Sequence, residues 1–268
     1  MSVQPEALDA AEPVLLRDDA DGIATLTLNR PASGNSLSHR LVRDLQAEVH
    51  RIAGDDTVRV VVIAASGRLF CTGHDLKESL ATTSGEEKRA ANLVCNRMMR
   101  SIVDSPKPVI AKVQGTATAA GCELVASCDL AIASTEARFA TPGVNIGLWC
   151  LTPQVALSRA VSRKHAMQML LTGKLIDAAT AVRFGLINEA VPADALDATV
   201  TELATVIASK SPFAVALGKR SFYRQYEMDR GPAYDYVADQ MVRAFQAEDA
   251  REGIAAFLEK RPPVWRGR

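Results

Sequence analysis

The chain has 268 residues, enough for one large domain or a domain with a small appendage. It is 48% hydrophobic but holds no apolar run long enough to span a membrane. Lysine plus arginine equals aspartate plus glutamate, at 31 each, so charge gives no reason to expect nucleic acid or an anionic membrane as a partner.

The first 13 residues are polar, acidic and alanine-rich, without the basic and apolar regions of a secretory signal, and are expected to be a flexible tail. Residues 23–28 alternate between apolar and polar, as a half-buried strand does. A helix is predicted over 38–54: Ser38 is the N-cap, Leu41, Leu45, Val49 and Ile52 share a face, and Gly54 ends it. The β-branched run 59–65 reads as a fully buried strand, followed by a loop that Gly67 and Gly73 punctuate. A longer helix is predicted over 86–103, and a proline-bounded strand over 109–113. Short strands follow at 130–133 and 138–140, and from Pro153 onward the pattern is mostly helical. Alternating strands and helices imply βαβ units and mostly parallel sheets.

Gly115-Thr-Ala-Thr-Ala-Ala-Gly-Cys-Glu123 is the most informative stretch. Small side chains allow close approach to the backbone, and the chain then turns into a helix whose first N–H groups are unpaired. An N–H aimed at an oxyanion, with the Glu123 carboxylate beside it, suits enolate stabilisation and proton transfer. The plainer alternative is an ordinary strand-to-helix turn with a solvated glutamate. Cys71, Cys95, Cys122, Cys128 and Cys150 form no metal-ligand pattern. An odd number of thiols with no export signal leads us to expect buried, reduced cysteines, a cytoplasmic protein and no metal.

Taken together, several motifs resemble the crotonase superfamily, of which enoyl-CoA hydratase is the best-known member. Phe70-Cys-Thr-Gly-His-Asp-Leu-Lys-Glu78 is similar to its first oxyanion-loop motif. Pro108-Val-Ile-Ala-Lys-Val-Gln-Gly115 through Gly-Cys-Glu-Leu124 and Cys128-Asp-Leu-Ala-Ile-Ala133 is similar to its second. Asn29-Arg-Pro-Ala-Ser-Gly-Asn-Ser-Leu-Ser38, Leu171-Thr-Gly173, Phe184-Gly-Leu-Ile-Asn188 and Glu259-Lys-Arg261 fit as well, in collinear order from Val14. The stretch from Thr141 to Cys150, Lys219-Arg-Ser-Phe-Tyr223 and the terminal Phe257 to Trp265 resemble one subgroup, the enoyl-CoA hydratase domain-containing protein 3 group.

This resemblance implies an α/β fold: a ββα spiral core over 14–199 and a helical C-terminal region over 200–268 that drives assembly into a trimer or a dimer of trimers. It implies an acyl-CoA thioester as substrate, with coenzyme A as part of that substrate and no permanently bound cofactor. His74 and Ala120 take the two positions whose backbone N–H groups form the thioester oxyanion hole. Glu123 matches the first of the two hydratase glutamates, which holds or activates the added water. Burial would raise its pKa and the helix N-terminus would lower it, and sequence leaves the winner open.

The second glutamate ends a Phe-Gly-x-Pro-Glu pattern, where this chain has Phe139-Ala-Thr-Pro-Gly143. Cys150, a few residues on, is a candidate proton donor, although a buried thiol is usually inert. Ser36 and the loop Thr72, His74, Asp75, Leu76 and Lys77 match the segment lining adenine and pantetheine, with Lys77 suited to pairing with phosphate. Phe257 and Lys260 match C-terminal residues that reach a neighbouring subunit's ligand. Gly143 and Trp149 are placed at the acyl pocket, Trp149 alternatively in the core. Arg30 and Lys219 are read as surface charges and Asp129 as a structural acid. The expected reaction is hydration of a trans-2-enoyl-CoA. The alternatives are a catalytically weak acyl-CoA-binding protein, thioester hydrolysis or decarboxylation.

Overall fold

A strand that is apolar on both sides must be covered on both faces, and the chain is organised around that requirement. The structure is a computed structural model that describes residues 12–268, so most of the expected tail lies outside the described residues. In chain order the first elements are β1 (Leu15–Ala20), β2 (Ile23–Leu28), α1 (His39–Ala53), β3 (Val60–Ala65), α2 (Leu76–Ala81), α3 (Gly85–Asp104), β4 (Val109–Val113) and β5 (Ala117–Thr118). There follow α4 (Ala120–Ser127), β6 (Leu130–Ser134), β7 (Arg138–Ala140), α5 (Pro153–Ala160), α6 (Arg163–Thr172), β8 (Ile176–Asp177), α7 (Ala178–Phe184) and β9 (Glu189–Val191). Last come α8 (Leu196–Ala208), α9 (Pro212–Tyr226), α10 (Arg230–Gln246) and α11 (Glu248–Glu259).

The main sheet has the order β1-β2-β3-β4-β6-β9, antiparallel only between β1 and β2. A smaller sheet has the order β5-β7-β8. Parallel bridges from Cys71 to Ala117 and from Leu37 to His74 carry this second ladder further. Each turn of chain thus adds one strand to the main sheet, one extended segment to the second ladder, and then a helix. The turns β3 with 71–74, β4 with β5, and β6 with β7 repeat this ββα unit, which is the expected spiral.

One face of the main sheet, through Leu26, Val61, Ile63, Val109, Ala111 and Ala133, shares a core with α1, α3 and α4. The other face, through Val60, Val62, Ile110 and Ile132, packs on Leu196, Val200 and Ala204 of α8. Residue 200, the expected start of the helical C-terminal region, falls inside α8, which packs on the sheet. The α1 prediction holds in detail: the Ser38 hydroxyl accepts the Leu41 N–H, and Leu41, Leu45, Val49 and Ile52 are buried. Among the described residues no single helix is long and apolar enough to cross a membrane. The helices α9 and α10 expose Phe222, Tyr226, Tyr234, Met241, Val242 and Phe245.

The readings of Lys219 and Arg30 as surface charges are corrected. Lys219 leaves α9 for the interior, where its side chain is 6% exposed. Its ammonium donates to Asp129 at 2.7 Å and to the Ile102 and Lys107 carbonyls at 3.0 Å each. Burial lowers its pKa against the opposing pull of Asp129. Tyr223 and the Val109 N–H complete the hydrogen bonding of Asp129. This ion pair ties α9 to the start of β6, and Asp129 is structural as expected. Arg30 is also largely buried, paired with Asp75 at 3.1 Å.

Candidate active site

The second ladder delivers two N–H groups to one place. Leu37 takes both bonds of its bridge, donating to the Gly73 carbonyl at 2.8 Å and accepting from the Asp75 N–H at 3.2 Å. In a parallel bridge this turns the N–H of the intervening His74 to the opposite side, toward the segment that leads into α4. Gly73 is the hinge. Its φ is +98°, and a Cβ there would lie 2.8 Å from the Ala119 Cβ and 3.2 Å from the Ala120 nitrogen. The two loops therefore meet with no room for a side chain between them.

At the other side, Ala119 starts α4 with φ 50° and ψ −122° and offers no side-chain cap. A non-glycine residue held there stores about 1–3 kcal/mol of strain. It is fixed by its own N–H on the Ala140 carbonyl at 2.9 Å and by its carbonyl accepting from Glu123 at 3.0 Å. Gly121 faces the Cys71 carbonyl so closely that a Cβ would lie 2.1 Å from that oxygen. Among the described residues, neither the His74 N–H nor the Ala120 N–H has an acceptor within the chain. Both remain available to a ligand oxygen.

Glu123 lies one turn into α4 and is 5% exposed. Burial pushes its carboxyl up to about 7, opposed by a hydrogen bond from the Thr152 hydroxyl to Oε2 at 3.1 Å. Burial therefore outweighs the Thr152 hydrogen bond, and at 5% exposure the solvated-glutamate alternative is excluded. Glu123 and Thr152 line a cleft of about 1350 Å³ between the core and α9–α10, together with Met99, Val125 and Tyr223.

Gly143 is buried in a 3-10 turn, Pro142–Ile146, and its N–H meets the Cys150 Sγ at 3.3 Å. A Cβ at Gly143 would stand 3.0 Å from the Cys150 nitrogen and 3.1 Å from its sulfur. The space in front of Gly143 is thus filled by Cys150. Burial raises the Cys150 thiol, the Gly143 N–H opposes this, and Glu123 adds to it. Thr141, just before this turn, has a buried hydroxyl without a partner among the described residues.

The His74 imidazole is engaged by a thiol, with Nε2 at 3.3 Å from the Cys95 Sγ, and Cys95 in turn feels the charge of Glu123. Burial, then the neighbouring His39, lowers the His74 pKa, and burial pushes Cys95 up to about 12. These are the properties of a neutral packed pair.

The remaining predicted residues divide into two groups. Ser36, Thr72, Asp75, Leu76 and Lys77 gather beside the His74 loop. The Asp75 carboxylate caps α2 through the Lys77 and Glu78 N–H groups and also takes bonds from Arg30 and Ser36. Burial pushes the Asp75 carboxyl up, but Arg30 and those amides outweigh it, so its pKa is lowered overall. The side chains of Ser36 and Asp75 are therefore engaged with one another, and they shape the loop. The Thr72 hydroxyl likewise bonds the Gly34 carbonyl at 3.2 Å. Leu76 and Lys77 stand exposed at the start of α2. Trp149 packs against the main core and donates to Gln154 at 2.8 Å.

Phe257 and Lys260 form the second group. They sit on and just after α11, and Phe257 is 82% exposed. That helix packs on α9 and α10, so this chain does not bring them to its own Glu123. Sequence reasoning missed Thr152, Cys95 and the burial of Arg30. A threonine before a proline reads as a cap, and nothing in its spacing reports a bond to a residue 29 positions earlier.

The sequence model of the enoyl-CoA hydratase/isomerase family matches residues 18–268. The chain belongs to that family. It is 46% identical over 246 residues to human enoyl-CoA hydratase domain-containing protein 3, covering 91% of this chain and 81% of that protein. It is 34% identical over 244 residues to the short-chain-enoyl-CoA hydratase of Clostridium acetobutylicum, covering 89% and 92% respectively. A solved enoyl-CoA hydratase structure from Mycobacterium smegmatis superposes with a TM-score of 0.93 at 48% identity, covering 95% of this chain and 99% of that one. These matches make the chain a crotonase-type acyl-CoA enzyme of the domain-containing protein 3 subgroup. They also correct the expected cytoplasmic location: the relatives from rat, mouse and human are named as mitochondrial proteins, which overturns it.

Proposed function

We propose that this crotonase-type enzyme adds water to trans-2-enoyl-CoA thioesters, using Glu123 as its one catalytic carboxylate. The observation that carries the reading is the buried, raised carboxyl of Glu123 one helical turn from the unpartnered Ala120 N–H. In this reading the thioester carbonyl accepts from the N–H groups of His74 and Ala120. One such donor typically stabilises the transition state by about 2.7–4 kcal/mol. Glu123 in its ionised form takes a proton from water as the oxygen adds to the β-carbon, and the hole holds the resulting enolate. The α-carbon then takes its proton from Glu123 or from water. The cleft beside Glu123 accommodates the acyl chain, and the loop at Thr72–Lys77 accommodates the coenzyme A arm. The exposed aromatic and aliphatic side chains of α9 and α10 support assembly into a trimer or a dimer of trimers.

The Cys150 packing in front of Gly143 favours a second reading, a protein that binds acyl-CoA but turns it over weakly. Steady-state loss of enoyl absorbance with crotonyl-CoA and longer substrates separates the two. Hydration that Glu123→Gln lowers by about 10²–10⁴-fold supports the first. Tight binding without turnover supports the second. Release of free coenzyme A thiol, followed in the same assay, would indicate thioester hydrolysis instead.

A further inference from the structure

The residue opposite Glu123 is where this site carries a device of its own. Thr152 is the N-cap of α5, with Pro153 at the first helical position. A threonine there ordinarily turns its hydroxyl back to accept an N–H from the first turn. Thr152 does not: its φ of −76° and ψ of −43° are helical, and its side chain makes no cap bond. The first turn is served by main chain instead. Gln154 N–H donates to the Cys150 carbonyl, and Val155 N–H to the Thr152 carbonyl, each at 3.0 Å. Proline has no N–H to satisfy. The hydroxyl is thereby released, and it donates to Glu123 Oε2 at 3.1 Å. Among the described residues this is the one side-chain hydrogen bond to that carboxylate, leaving Oε1 without a partner in the chain.

We propose that Thr152 is the positioning residue of Glu123: its hydroxyl holds Oε2 in place and leaves Oε1 as the oxygen that exchanges the proton. A buried carboxylate with a single donor has its rotamer and its reactive oxygen chosen by that donor. A hydroxyl donating to a carboxylate also favours the ionised form, which is the form a general base requires. The arrangement suits a site where the loop across from Glu123 carries glycine and cysteine at 143 and 150. The catalytic role rests on the hydratase reading, whereas the effect on the titration of Glu123 does not.

The test therefore reads both. In protein labelled with ¹³C at the glutamate carboxyls, Glu123 is assigned by its loss in Glu123→Gln and titrated in wild type, Thr152→Val and Thr152→Ser. Thr152→Ala serves as a second hydroxyl-free variant should valine disturb folding. We expect removal of the hydroxyl to raise the Glu123 pKa by about one unit, a tenfold change in its ionisation constant, and serine to restore it. With crotonyl-CoA, kcat at pH 7 should fall about fivefold as the ionised fraction drops from about a half to about a tenth, with KM unchanged. An unchanged titration in Thr152→Val and Thr152→Ala, or a shift that serine does not reverse, overturns the proposal. A shift that serine reverses, in a protein without hydratase turnover, upholds the Thr152–Glu123 pairing and refutes the hydration reading.

Discussion

Replacing Glu123 by glutamine should change how the stability of the protein depends on pH. Glu123 is 5% exposed, and burial raises its carboxyl from an ordinary 4.5 to about 7. Between those two values the folded chain keeps a proton that the unfolded chain has released. Wild-type stability attributable to this group therefore falls as pH rises from about 4.5 to about 7, and is level beyond. At about 1.4 kcal/mol per pH unit the loss comes to about 3 kcal/mol. Glutamine fills the same space, can still accept from Thr152, and has no proton to lose. Relative to wild type, Glu123→Gln should gain about 3 kcal/mol between pH 4 and pH 8, with the change centred in that window. For a chain of this size that is about 6–12 °C in the difference between the two melting temperatures. Thermal unfolding of both proteins at one protein concentration across that pH range measures it. A difference that stays flat with pH would mean that Glu123 titrates as an ordinary carboxyl, and would remove the physical basis for its role as a base near neutrality.

Gly143→Glu should lose about 1–3 kcal/mol of stability, because the new Cβ meets the Cys150 nitrogen at 3.0 Å and sulfur at 3.1 Å. Adding Cys150→Gly should recover part of that loss, and any gain in hydration should appear only in the double variant, as denaturation and enoyl absorbance would show. Lys219→Met should cost about 3–5 kcal/mol in chemical denaturation by leaving Asp129 charged and half-partnered, and Asp129→Asn in the same chain should return much of it. His74→Ala should keep kcat/KM within about tenfold of wild type, since the donor assigned to this position is the backbone N–H; a loss of about 10³-fold would place the imidazole in the chemistry.

The sequence determined much of this protein by itself. Ser38 and its apolar face specify α1, the β-branched run specifies β3, and the small residues before Glu123 specify a backbone approach that Gly73 and Gly121 make real. Such signals are local: a cap, a period or a missing side chain is written within a few residues of where it acts. The motif spacing also singled out His74, Ala120 and Glu123, and the second ladder brings the His74 loop against the start of α4, which carries the other two. What tertiary structure alone decided are the partners. Periodicity says which face of a segment is apolar and nothing about which surface covers it. Thus the packing of α8 under the sheet and the inward course of Lys219 to Asp129 were not legible. The state of Glu123 belongs with them. A helix start lowers a carboxyl and burial raises it, and the balance depends on how α4, α5 and the turn at Gly143 exclude water. Only the folded chain sets that exclusion, and it also brings Thr152 to the carboxylate from 29 residues away.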